Sequence, residues 1–170
     1  MIRAVLGDIT KITNAEAIVN AANESLLGGG GVDGAIHYAA GPGLKEECRT
    51  LGGCRTGEAK ITGAYNLPCK YVIHTVGPRW HGGNNGEAEI LAQCYISSLK
   101  LAAGKGIRTV AFPSISTGVF AYPVDKAAKV AVDAVRSFIS ENPDAFDDIQ
   151  WVLYDNHTKV IYERALSQNE

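Results

Sequence analysis

The chain has 170 residues, 16 basic against 18 acidic, a formal net charge of −2 and 46% hydrophobic residues. That is an ordinary single-domain length, able to bury a core without disulfides or metal. Its apolar runs fall far short of the roughly 20 residues that span a bilayer, and its near-neutral charge argues against a broad phosphate-backbone binder.

The first strand is expected over Ile2–Leu6, an apolar run too short for a signal peptide. A second short strand, Ala17–Asn20, follows a polar turn. After the run Gly28–Gly31, residues Val32, Ala35, Ile36, Ala39 and Ala40 recur on one helical face, and Gly41-Pro42 is expected to stop that helix. Strand candidates follow at 58–64 and 71–76, then an irregular loop over 80–86. A helix carries Ala88, Leu91, Cys94, Tyr95, Ser98 and Ala102 on one face. Residues 109–113 form a continuous apolar strand of the type covered on both faces. A helix over about 125–140, a strand over 149–154 and a helix over about 156–167 complete the chain.

Strands alternating with amphipathic helices predict an α/β fold: one domain over residues 1–170, with helices on both faces of a largely parallel sheet. Ligands of such folds sit outside the carboxyl ends of the strands. The sequence is rich in glycine there, with 19 of 170 residues overall against a usual ~7%.

Three strand ends carry unusual residues. Asp8, in Gly7-Asp8-Ile9-Thr10, reads either as a cap or as an acceptor for an amino group. Asn20 and Asn23 leave the second strand as polar groups that need partners. The four glycines beyond them allow backbone to approach a bulky ligand, unless they are only a linker. Asp33 lies in the first turn of the next helix, where the dipole favours its ionised form; it is either a helix-start residue or a carboxylate at a pocket mouth. The segment Ser116-Thr117-Gly118-Val119-Phe120 has the small hydroxyls, glycine and successive backbone donors of a phosphate cradle. No G-x-x-x-x-G-K-[ST], G-x-G-x-x-G or G-x-S-x-G motif is present, which moves phosphoryl transfer, dinucleotide-linked dehydrogenation and a hydrolytic triad down the list.

Cys48, Cys54, Cys69 and Cys94 show no C-x-x-C spacing, so free thiols in a reducing cytoplasm are expected. The four histidines are scattered, and no metal site is expected.

Five segments in order resemble the macro domain family, in particular its MacroD-type ADP-ribosyl hydrolases: 7–10, 18–23, 28–37, 74–78 and 113–120. The resemblance covers essentially the whole chain. It implies a three-layer α/β/α macro domain with a central mixed, largely parallel sheet, binding ADP-ribose in a cleft at its crest. By that likeness Asp8 accepts from the adenine amino group beside Ile9, and Tyr154 packs on the adenine. Asn20 would join the ligand contacts, and Gly31 and Val32 would face the distal half. Ser116, Thr117, Gly118 and Val119 would wrap the diphosphate, with Phe120 against the distal ribose. Asn23 and Asp33 would be the catalytic residues, Asn23 positioning the ribose hydroxyls and Asp33 activating water or the ribose, with a substrate phosphate oxygen as the other candidate for activating the water.

Ala121 stands where the family commonly has glycine, and Phe120 where tyrosine is frequent. The implied reaction is hydrolysis of the ester between the distal ribose and a carboxylate, on ADP-ribosylated Asp or Glu side chains or O-acetyl-ADP-ribose. The alternative is a reader that binds ADP-ribose without cleaving it. No cofactor, metal, membrane or nucleic-acid partner is expected, and a monomer is the default.

Overall fold

The computed structural model describes residues 1–168. Six strands form one sheet in the order β1-β6-β5-β2-β4-β3: β1 (Ile2–Leu6), β2 (Ala17–Ala21), β3 (Ala59–Gly63), β4 (Tyr71–Thr75), β5 (Thr109–Phe112) and β6 (Asp148–Leu153). All neighbours run parallel except β3, which pairs antiparallel with β4 at one edge. The helices are α1 (Gly31–Ala40), α2 (Pro42–Arg49), α3 (Glu87–Gly104), α4 (Val124–Glu141) and α5 (Asn156–Ser167). The expected elements are all present, with ends shifted by a residue or two.

The two-residue period of the strands divides the core. Val19, Ile73, Val110, Phe112 and Trp151 pack with α3, α4 and α5 on one face. Ile18, Val72, Ala111 and Val152 pack with Ile36 of α1 and Leu44 and Cys48 of α2 on the other. The sheet is thus covered on both sides, which explains the unbroken apolar run of β5.

One helix, α2, goes beyond the expected elements. Gly41-Pro42 does end α1, through Gly41 at φ +82°, but Pro42 then opens α2 from its N-terminal position. Proline has no N–H to lose at a helix start, and its ring sets the φ that a helix needs. The same dipeptide therefore stops one helix and starts the next. Among the described residues no helix is long and apolar enough to cross a membrane.

The strand order places sequence-distant loops side by side. The chain leaves the carboxyl ends of β1, β6, β5, β2 and β4 at Gly7, Tyr154, Pro113, Ala22 and Val76 respectively. At about 4.8 Å per strand, these five exits line a crest roughly 19 Å long.

Candidate functional site

A cleft of about 510 Å³ runs along this crest. Its walls come from three segments: Asn23 with Gly29–Asp33, the loop from Pro113 to Phe120, and Val152 to Asp155 with Thr158; Gly77 and Arg79 join them from the end of β4.

At the β1/β6 end, Asp8 caps a short 3-10 turn (Ile9–Lys11): its Oδ1 accepts from Thr10 N–H at 2.9 Å and the Thr10 hydroxyl at 2.7 Å. The Thr10 hydroxyl hydrogen bond is the main reason its carboxyl titrates below the usual range, and the Tyr154 hydroxyl adds to this. Of the two sequence readings of Asp8, the cap is the one the structure shows. Ile9 and Tyr154 line the cleft beside it, with Tyr154 largely exposed.

The central loop is tightly made. Ser116 takes φ +70° and Ala121 takes φ +63°, both in the left-handed region. Ala121 N–H donates to the Gly118 carbonyl at 2.9 Å, and Tyr122 N–H to the Ser116 carbonyl at 3.0 Å. Thr117 turns its hydroxyl inward onto Ser114 Oγ at 2.7 Å, and Ser114 in turn bonds Tyr162 at 2.8 Å. Thr117 therefore contributes its backbone rather than its side chain to the cleft. A Cβ on Gly77 would overlap Ser116 Oγ, so the glycine after β4 is what lets this loop close against the sheet. Val119 is 90% exposed at the loop's outer edge.

The opposite wall is built around Asp33. Gly29, Asn23 and Asp33 converge: a Cβ on Gly29 would stand 3.0 Å from Asp33 Oδ2 and 3.3 Å from Asn23 Nδ2. Asn23 is itself braced, donating to the Gly28 carbonyl at 2.9 Å and accepting from Ser25 N–H and Oγ at 3.0 and 2.6 Å. That leaves one amide hydrogen for a ligand. Asp33 is buried at 4% exposure. Burial raises its pKa, opposed by the Asn20 amide and the charge of His37, so its proton is held more tightly than a surface aspartate's. Asp33 Oδ1 accepts from Asn20 Nδ2 at 2.8 Å and lies 3.5 Å from His37 Nε2, one helical turn on.

The arrangement has a nucleotide's proportions. One end offers an aromatic ring and a carboxylate acceptor, and a loop rich in backbone donors lies in the middle. The other end holds a partly desolvated carboxylate among glycines.

The sequence from residue 19 to 131 matches the family model described as "Macro domain". The chain belongs to the macro domain family. A macro domain-containing protein of Chlorobaculum tepidum, CT2219, is 56% identical over 167 residues, covering 98% of this chain and 96% of its own. O-acetyl-ADP-ribose deacetylase 1 of Pantoea vagans is 49% identical over 170 residues, covering 98% of each. The crystal structure of the Trypanosoma brucei macrodomain in complex with ADP-ribose superposes with a TM-score of 0.92 at 42% identity, over 98% of this chain and 69% of that one. The three-layer α/β/α macro fold is thereby shown.

Of the residues singled out in the sequence of this macro domain, Ile9, Asn23, Gly31, Val32, Asp33, Ser116–Phe120 and Tyr154 line the cleft. Asn20 does not. It is fully buried beneath Asp33, because it faces the α1/α2 side of β2 along with Ile18, and its amide serves Asp33 rather than the cleft. Asp8 stands beside the lining rather than in it.

Three residues went unsuspected. His37 was set aside as one of four scattered histidines, although its i+4 spacing from Asp33 was visible. Arg79, the one Lys or Arg among the described lining residues, stacks its guanidinium 4.5 Å from the centre of the Phe120 ring. Glu87, at the start of α3, is buried and orders the loop over 80–86, accepting from the backbone N–H groups of His81, Gly83 and Asn85 at 2.8–3.1 Å. Burial works to raise its pKa, but these donors overcome it and bring it down to about 2. The spacing of His37 from Asp33 is legible in the sequence, whereas only the register of the fold brings Arg79 to the cleft. A lone acidic residue at a helix start gives no sign of the third.

Proposed function

We propose that this macro domain binds ADP-ribose along the crest and hydrolyses the ester joining the distal ribose to a carboxylate. The substrates are mono-ADP-ribosylated Asp or Glu side chains of proteins and O-acetyl-ADP-ribose. The observation that carries this reading is Asp33: a buried carboxylate with Oδ1 held by Asn20 and Oδ2 beside Gly29 and Asn23 at one end of the cleft. A module that only binds has no need of a carboxylate whose charge burial disfavours.

In the proposed reaction, water adds across the ester bond. Its oxygen bonds to the acyl carbon, its proton passes to Asp33, and the ribose oxygen leaves and takes the proton up. The tighter hold on its proton brings Asp33 closer to a working base than an exposed aspartate. Asn23, braced by Gly28 and Ser25, fixes the ribose, so the scissile bond is presented to a positioned water. Gly118, Val119 and their neighbours supply backbone N–H groups to the diphosphate, and Arg79 adds a basic side chain. The Pantoea vagans deacetylase and the Trypanosoma brucei complex support this reading through the ester and the nucleotide that their names carry.

The test is calorimetry of ADP-ribose, ADP and AMP together with NMR observation of acetate release from O-acetyl-ADP-ribose. Tightest binding by ADP-ribose and steady acetate release are expected. Equal affinities for ADP-ribose and AMP would remove the distal-ribose placement, and binding without release would make the domain a reader.

A further inference from the structure

Behind Asp33 runs a buried chain of hydrogen bonds through Asn20 and His74 to Thr62. Thr62 spends its one hydroxyl hydrogen on the Gly63 carbonyl at 2.9 Å. With that hydrogen on Gly63, its oxygen, 3.0 Å from His74 Nε2, accepts from the imidazole, while Cys48 Sγ lies 3.8 Å from the same nitrogen. His74 Nδ1 is left bare, 3.2 Å from Asn20 Nδ2, and accepts one of the two amide hydrogens. The other goes to Asp33 Oδ1 at 2.8 Å. Three adjacent strands hold this line in register: His74 of β4 lies directly opposite Asn20 of β2, and Thr62 stands on β3 on the same face. Thr62, His74 and Asn20 are each no more than 2% exposed.

We propose that His74 is a positioning residue for the reaction: through Asn20 it keeps an N–H donor on Asp33 Oδ1, favouring the ionised carboxylate and leaving Oδ2 to the substrate. The inference rests on the ester-hydrolase reading above. Were Nδ1 to carry the hydrogen, Asn20 would have to turn its carbonyl oxygen toward both neighbours. An oxygen facing Asp33 Oδ1 repels the carboxylate and favours its protonated form. With its hydrogen on the Gly63 carbonyl, Thr62 disfavours that state by offering Nε2 only an acceptor.

The protonation of the histidine itself does not intervene. Burial, with the charge of His37 second, pulls the His74 pKa down to about 3, so the ring is neutral wherever the enzyme works. The groups facing Asp33 are His37 on its own helix, Asn20 on β2 and Asn23 on the following loop, with His74 and Cys48 of α2 behind. Burial, then the charges of Glu47 and Asp33, push the Cys48 thiol up to about 11, so it stays neutral. None of the variants below replaces His37, Asn23 or Cys48; His74→Phe removes a ring beside His37 and Cys48, and the Thr62 variants do not.

The experiment compares wild type with His74→Phe, Thr62→Val and Thr62→Ser. It reads ADP-ribose affinity, the pH profile of kcat, and the titration of the Asp33 carboxyl by carbon-13 NMR. In Thr62→Val, affinity stays within about twofold while kcat at neutral pH falls about tenfold, the scale of one hydrogen bond to a charged group. The acid limb of the profile and the Asp33 titration both move to higher pH, and Thr62→Ser restores them. His74→Phe does the same if it folds, and Thr62→Val, nearly isosteric, carries the test if it does not. An unmoved Asp33 titration in folded, ADP-ribose-binding variants overturns the proposal. A shifted titration in a protein whose wild type releases no product overturns the hydrolase reading instead and leaves the coupling in place.

Discussion

The carbonyl oxygen of Gly29 lies 2.5 Å from where a Cβ on Gly34 would stand. The glycine loop thus folds back onto the first turn of α1 and touches its backbone. At Gly118, by contrast, a Cβ would meet nothing within 4 Å. The two glycines answer to different demands, one to the fold and one to the cleft. Gly34→Ala is expected to cost about 1–3 kcal/mol of stability, the usual scale of overpacking. Gly118→Val leaves the melting temperature unchanged and weakens ADP-ribose binding by about tenfold or more, because the new side chain occupies space meant for the diphosphate. Thermal melts beside calorimetry separate the two. Gly31, also open, sits at φ +57°, so a bulky residue there strains the helix start as well as the cleft.

Asp33 should weigh on the fold that holds it. Its folded pKa is raised above the ordinary 3.8, chiefly by burial. Any stability it contributes is therefore fully present below that ordinary value and lost as pH rises through the folded one. Asp33→Asn keeps an acceptor for Asn20 and removes the charge. It is expected to melt higher than wild type at pH 7, with the gap closing below about pH 4, while turnover falls about 10²–10⁴-fold. Melting at two pH values and a product-release assay check both halves.

Ala121, at φ +63° and exposed, bears a left-handed backbone that a β-carbon disfavours. Ala121→Gly relieves it and loses no packing, so a gain of about 1 kcal/mol is expected after the entropy cost of glycine. Chemical denaturation measures it. A loss of stability would mean that the loop does not take this conformation in solution.

Glu87 makes the loop over 80–86 sensitive to acid. Its folded pKa, about 2, is depressed from an ordinary 4.5. The stability it supplies is present above 4.5 and lost as pH falls toward 2. Wild type should lose melting temperature over that window more steeply than Glu87→Gln. At neutral pH the variant keeps one side-chain oxygen for His81 and Gly83 and loses the Oε1 acceptor of Asn85 N–H, so amide exchange should be faster at Asn85.

The strand-end motifs made much of this architecture legible in advance, because β–loop–α junctions carry their chemistry in short contiguous runs. Asp8, Asn23, Asp33 and the loop from Ser116 to Phe120 could be found that way. What escaped depends on register between distant strands. Asn20 is three residues from Asn23, yet the pleat turns it under the sheet. There His74, 54 positions on, meets it, and neither residue alone announces the other. Arg79 lies beside Phe120 only because β4 and β5 flank β2. Gly41-Pro42 ends α1 as its sequence predicts, while α2 goes unread because the same ring chemistry ends and begins helices.

The central claim is that Asp33 works on an ester at one end of an ADP-ribose cleft. Single-turnover release of ADP-ribose from a mono-ADP-ribosylated glutamate peptide, by wild type and Asp33→Ala side by side, tests it most directly. Both proteins are first shown by calorimetry to bind ADP-ribose. Rapid release by wild type and a loss of about 10²-fold or more in the variant, with binding retained, is the predicted result. Equal release by the two proteins, or none by wild type, would contradict it.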